Sequence, residues 1–198
     1  MIFDLFNEPR TYSGSMSAAQ EWGLWHNGGT FEGVRYIGMA RLAADVRAAG
    51  AKNLFWAEGP NYAHSFAGMV RQHAVLATPN VVYAFHHPSG ARDTAQWYTD
   101  FGYLTSTRVG PVVDGEWTNY IPFGQANSEC WPDAPAAVPV YLRYLAAKGI
   151  GMTAYQLATG LLVTSDGAWP ARRRSARPSG SRTIAARRPS RPTRAPGR

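Results

Sequence analysis

Residues 109–117 read Val109-Gly-Pro-Val-Val-Asp-Gly-Glu-Trp117, an apolar run that ends on an acid followed by an aromatic ring. Near the start of the chain, Phe3-Asp-Leu-Phe-Asn-Glu-Pro9 has a related design, closed by a proline that cannot continue a central strand. Each reads as a short β-strand with a carboxylate at its C-terminal end, Glu8 in one and Glu116 in the other. Working outward from these two, β-rich runs alternate with longer helical stretches, the pattern of βα units on a parallel sheet. Five strands are predicted, at residues 2–6, 53–57, 81–85, 109–114 and 150–155. A helix is expected over 34–49, because Met39, Leu42, Ala43 and Val46 fall at i, i+3, i+4 and i+7 and Gly50 supplies a stop. Asp93 is placed to cap a second helix, carrying Trp97, Phe101 and Leu104. A third is expected over 136–148, with a stripe of Val138, Tyr141, Leu142 and Leu145 ended by Gly149.

Charge is unevenly spread. The 198 residues carry 20 Lys+Arg against 13 Asp+Glu, a net +7. Residues 171–198 hold ten arginines and no acid, which leaves a balance of −3 for residues 1–170. The basic character belongs to the tail, and the body is not a nucleic-acid-binding surface. A single cysteine, Cys130, excludes an intramolecular disulfide framework, and no Cys/His cluster has zinc-ligand spacing. No run of about 18 apolar residues exists to span a membrane. The first residues lack the basic start and long apolar core of a secretory signal. No repeat of solenoid period is present. The expected organisation is a body over 1–169 and a tail over 170–198, whose Arg, Pro, Ser and Ala cannot bury enough apolar surface to order it.

In a (β/α) barrel, side chains at the C-terminal ends of the strands converge on one mouth, so Glu8 and Glu116 can face the same substrate. Two carboxyl groups across a pocket are the minimum equipment for cleaving a glycosidic bond: one donates a proton to the leaving oxygen, the other attacks the anomeric carbon. A retaining mechanism places them about 5–5.5 Å apart. From strand position alone, each acid is as readily a solvated or ion-paired loop carboxylate.

The order of motifs resembles glycoside hydrolase family 5, the cellulase-like retaining β-glycosidases built on a (β/α)8 barrel. The segment ending Asn7-Glu8-Pro9 is similar to the family's fourth strand, and the one ending Gly115-Glu116-Trp117 to its seventh. Between them, Asn53-Leu-Phe-Trp-Ala-Glu-Gly59 resembles strand five and Val82-Tyr-Ala-Phe-His-His87 resembles strand six. The resemblance spans residues 2–169. It implies that Glu8 is the general acid/base, Glu116 the nucleophile, Asn7 a partner of the sugar 2-hydroxyl, and His86 a contact to the sugar or a support for Glu8. No metal or cofactor is implied, and His87 has no assigned role. Tyr155 stands where the family's eighth strand usually ends in a tryptophan platform for the sugar. Trp117, Trp56 and Tyr62 are weaker platforms, more readily read as buried between barrel and helices. Glu58 and Asp114 read as structural or supporting acids.

The chain also departs from the family. Nothing corresponds to the first three βα units, which in the family supply an arginine and a histidine, and Pro88 replaces a tyrosine usual after strand six. The expectation is therefore a partial barrel, equivalent to strands four to eight, with open edges that favour association with a complementary fragment or another copy. Poor stability and weak or absent activity alone follow. Two other readings remain: an inactive remnant of such an enzyme, and a polyanion-binding protein acting through the arginine tail. The tail also fits an out-of-frame translation of GC-rich DNA. The partner implied is a β-linked glycan. The family is mostly secreted, so localisation stays open.

Overall fold

In the computed structural model, the residues described are 1–10, 16–86, 93–117 and 134–155. Its centre is a parallel sheet in the order β1 (Phe3–Asp4), β4 (Phe55–Glu58), β5 (Val81–His86), β6 (Val112–Trp117) and β7 (Gly151–Ala154). All four pairings are parallel, from Phe3 opposite Phe55 to Trp117 opposite Ala154. The five predicted strands are present in the predicted order, with shifted ends. The fourth starts after Pro111 rather than at Val109, because the Val109 N–H is already spent on the Leu104 carbonyl at a helix end. The fifth starts after Ile150 for the same reason, its N–H bonding the Leu145 carbonyl.

Side-chain alternation divides the sheet into two faces. Phe55, Ala57, Val81, Tyr83, Phe85 and Val112 face the helices and join Trp25, Trp97, Phe101 and Tyr141 in one buried cluster. The helices α1 (Ala18–Asn27), α2 (Met39–Ala48), α3 (Thr94–Trp97), α4 (Tyr103–Ser106) and α5 (Ala134–Lys148) cover that face, and a π-helical turn, Tyr98–Gly102, joins α3 to α4. As the sequence predicts, Asp93 caps α3, accepting from the Gln96 N–H at 2.8 Å. Gly149 takes the left-handed conformation that ends α5, at φ 64°.

The expected helix over 34–49 is corrected: only Met39–Ala48 is helical. Val34–Ile37 is instead β3, paired antiparallel with β2 (Gly28–Phe31). Glu32 and Gly33, at φ 45° and 79°, form the reversal between them, a tight hairpin turn with two left-handed residues. Gly38 then approaches the Asn27–Gly28 backbone so closely that no side chain fits, which holds the hairpin against the end of α1 and fixes where α2 starts. Helix α1 escapes the sequence prediction, although Ser17 and Gln20 form a complete capping box at its start.

Among the described residues, β1 and β7 each pair on one side only, so the sheet has two open edges. Ile2 and Phe6 are exposed along the first, Met152 and Tyr155 near the second. No described helix is long and apolar enough to cross a membrane. The predicted tail over 170–198, and His87 and Pro88, lie outside the described residues.

Candidate active site

Four acids and one histidine meet at the C-terminal end of the sheet, on the face opposite the helices. Trp56 and Glu58 project there from β4, and His86 projects from the end of β5. Strict alternation would turn Glu116 toward the helices with Asp114. A bulge prevents it: Phe85 pairs with Asp114 and His86 with Glu116, leaving Gly115 as the extra residue. The slip by one residue brings Glu116 onto the inner face. Gly115 packs beside the site: a Cβ there would make ordinary van der Waals contact, 3.4 Å from the His86 ring and 3.5 Å from Trp56. Thr153 on β7 donates its hydroxyl to the Gly115 carbonyl and ties the bulge down.

Glu8 reaches the same place from the turn after β1. Its main chain is left-handed, at φ 47°, a conformation that costs a non-glycine residue about 1–2 kcal/mol unless neighbours hold it. They do: the Glu8 N–H donates to Glu58 Oε2 at 2.6 Å. His86 lies between the carboxylates, its Nδ1 2.8 Å from Glu8 Oε1 and its Nε2 3.1 Å from Glu58 Oε1 and 3.7 Å from Glu116 Oε1. One oxygen of Glu8, one of Glu116 and a His86 nitrogen all fall within 4.8 Å of one another. The structure therefore brings Glu8, His86 and Glu116 together, although 108 residues separate the two glutamates.

Burial opposes a charge on His86, but the hydrogen bond and charge of Glu58, then the hydrogen bond of Glu8 and the charge of Glu116, outweigh it and raise its pKa to about 9. Burial pushes the Glu116 carboxyl up; the His86 charge opposes this, and the nearby Glu8, Glu58 and Asp114 reinforce it. Partial burial, then the charge and hydrogen bond of Glu58, raise the Asp4 carboxyl to about 6, against the opposing Phe6 N–H and His86 charge.

The remaining predicted residues take varied positions. Asn7 is exposed beside Glu8, and the two line a cavity of about 670 Å3 with Arg10, Trp25, Tyr36 and Tyr62. Tyr62 is half-buried there, with the Arg10 guanidinium 4.7 Å from its ring centre. Trp117 is partly buried against the core. Tyr155 follows β7, its N–H bonded to the Trp117 carbonyl at 2.6 Å, and is exposed at 40%. Trp56 is corrected: it stands half-buried on the inner face near His86 and Gly115, not between sheet and helices. Asp114 is fully buried on the helix side, where the Tyr141 hydroxyl donates to it at 2.6 Å. Glu58, which sequence reasoning treated as a supporting acid, is 1% exposed and sits at the centre of the hydrogen-bond network.

No family model matches the sequence, and no curated protein matches it either. Solved structures do match. A β-glucanase from Saccharophagus degradans in complex with cellotetraose superimposes with a TM-score of 0.61 at 18% identity, covering 85% of this chain and 50% of that one. A hyperthermophilic endo-β-1,4-glucanase in complex with substrate gives 0.56 at 14% identity, over 86% and 56% of the two chains. The catalytic domain of the major endoglucanase from Xanthomonas campestris pv. campestris gives 0.55 at 20% identity, over 83% and 51%. The chain spans about half the length of these glucanases. Its five-stranded parallel sheet and covering helices are similar in fold to about half of a family 5 glycoside hydrolase barrel.

Proposed function

We propose that this chain carries the catalytic face of a retaining glycoside hydrolase acting on β-linked glucans. The observation that supports the reading best is the approach of Glu8 and Glu116 to within 4.8 Å across the His86 ring, each from the end of its own strand. This approach, of one oxygen from each acid, supports a retaining pair over the wider gap that an inverting enzyme keeps for its water.

In the first step the Glu116 carboxylate attacks the anomeric carbon and forms a glycosyl ester while the Glu8 carboxyl gives its proton to the departing glycosidic oxygen. In the second step the Glu8 carboxylate takes a proton from water, whose oxygen displaces Glu116 and restores both groups. Asn7 hydrogen-bonds the sugar 2-hydroxyl, and His86 orients Glu8. Tyr155 and Trp117 offer ring faces to the apolar side of neighbouring sugars. The chemistry requires no cofactor. A β-glucan as substrate is supported by the cellotetraose in complex with the Saccharophagus protein, about half of which shares this chain's fold.

The stereochemistry of the product tests the proposal. Full-length chain incubated with cello-oligosaccharide should release the β-anomer first, as seen by proton NMR before mutarotation. Release of the α-anomer first, or no hydrolysis above that of a Glu116→Gln, Glu8→Gln double variant when a complementary fragment covering the open edges is also supplied, would remove it.

A further inference from the structure

Glu58 belongs to the strand that the glycosidase motifs leave without a catalytic role, yet it bonds both the Glu8 main chain and the His86 ring. Its carboxylate is almost wholly buried and uses both oxygens. Oε2 accepts from the Glu8 main-chain N–H at 2.6 Å, and Oε1 lies 3.1 Å from His86 Nε2. The opposite nitrogen of that ring, Nδ1, lies 2.8 Å from Glu8 Oε1.

We propose that Glu58 is a positioning residue for Glu8: one carboxylate holds the Glu8 main chain in its left-handed turn and, through the His86 ring, fixes where the Glu8 carboxyl points. The inference rests on the acid/base role of Glu8 given above.

Three features of the geometry carry it. A left-handed turn at a residue with a Cβ persists only where the surroundings over-determine it, and the charge-assisted bond from the Glu8 N–H is such a restraint. A ring held at both nitrogens cannot rotate, so the Glu8 Oε1 contact is fixed in direction as well as distance. Both nitrogens face carboxylate oxygens, which is the arrangement of an imidazolium donating twice. Among the described residues, the acids facing that ring are Glu8 and, at longer range, Asp4 from the β1 side, Glu58 from β4 and Glu116 from β6. The upward displacement of the His86 pKa to about 9 agrees with the geometry. A further restraint comes from the 61–63 loop. There Asn61, Tyr62 and Ala63 are all left-handed, the Tyr62 N–H bonds the Pro9 carbonyl, and the Ala63 carbonyl accepts from the His86 N–H.

A glutamine cannot replace Glu58 in this role. Its amide oxygen can accept from the Glu8 N–H, but its amide N–H then faces His86 Nε2, which can accept only when the ring is neutral, so the doubly donating imidazolium is lost. An aspartate keeps the charge but is a methylene too short to reach both.

The test uses full-length protein with 15N-labelled histidine. In the wild type, both His86 ring nitrogens should be protonated at pH 7.5. In Glu58→Gln the titration midpoint of His86 should fall by at least about one pH unit, a tenfold change in proton affinity. A neutral His86 ring in the wild type at pH 7.5, or a midpoint unmoved in Glu58→Gln, overturns the proposal. The first outcome needs no variant, so it decides even if the substitution prevents folding. With substrate, Glu58→Gln should lower kcat by at least about tenfold on cello-oligosaccharides with little change in KM. Its loss should be smaller on aryl glycosides with acidic phenol leaving groups, which need less help from a proton donor. Equal losses on both substrates would also overturn it. If product anomers refute the glycosidase reading while His86 still responds to Glu58, the error lies in the role of Glu8 and not in the restraint.

Discussion

Alkali should weaken this fold through one residue. His86 titrates at about 9 in the folded chain and near 6.5 when exposed, so the folded state holds its proton more tightly than the unfolded state does. For a basic group displaced upward, the extra stability is fully present below pH 6.5 and is lost as pH rises through 9. A displacement of that size corresponds to about 3 kcal/mol, with the contributions of Glu58, Glu8 and Glu116 summed and the burial penalty already subtracted. Against a total of about 5–15 kcal/mol for an ordinary domain, the loss is large. For a chain of this size it would lower the melting temperature by roughly 6–12 °C. Urea unfolding at fixed ionic strength, sampled every half pH unit from 6 to 9.5, should show the midpoint falling throughout, with an unchanged slope of free energy against urea. His86→Gln should begin lower and stay flat over the same range. A wild-type midpoint that is constant or rises between pH 6.5 and 9, or a variant with the same decline, would refute the reasoning.

Further outcomes follow from other groups. Asp4, raised to about 6, is an acid that the folded state prefers protonated, so stability should fall as pH rises from about 4 to 6. Asp4→Asn should therefore melt higher than wild type at pH 7 and equally at pH 3.5; a lower melting point at pH 7 would show that the Asp4–Glu58 contact is not repulsive. Tyr141→Phe removes the hydroxyl that donates to fully buried Asp114 and should cost about 1–3 kcal/mol in urea unfolding, with a loss under 0.5 kcal/mol counting against it. Gly38→Ala drives a methyl group into the backbone at Asn27 and Gly28 and should cost at least about 1–3 kcal/mol; a neutral effect would mean that the hairpin does not rest there. Because the Glu116 carboxyl is raised, the acid limb of kcat/KM should lie above the ordinary glutamate value, and a limb at or below that value would contradict the placement of Glu116 beside Glu8 and Glu58.

The sheet was legible because its strands are written locally. Val81-Val-Tyr-Ala-Phe85 and Val112-Val113 are short apolar runs between breakers, and an acid closing such a run identifies the strand end that faces the mouth. The region after β1 was not. The apolar period through Met39, Leu42, Ala43 and Val46 is real, but nothing in it marks Gly38 as its start. The residues before it, with Val34 and Ile37 exposed, form a hairpin fixed by glycine contacts to α1 that are distant in sequence. Within the site, the approach of Glu8 and Glu116 could be anticipated from two strand ends. That Glu116 points inward depends on a one-residue slip at Gly115, which periodicity does not carry. The position of Glu58 was hidden for a stronger reason. Its contacts join residues 50 and 28 positions away, and a buried carboxylate that bonds a main-chain N–H and a histidine ring has no sequence pattern of its own. Trp56 was misread because alternation on β4 pairs it with Glu58 on the inner face, whereas its size suggested the core.

The most direct test of the account is covalent trapping. A 2-deoxy-2-fluoro-β-cellobioside with a dinitrophenol leaving group slows both steps but the second more, so a retaining nucleophile accumulates as its glycosyl ester. Intact-mass measurement and peptide mapping of the full chain should find one sugar per molecule, on Glu116, and none in Glu116→Gln. Attachment at Glu8 or elsewhere, or a protein left unmodified after prolonged exposure, would contradict the central claim.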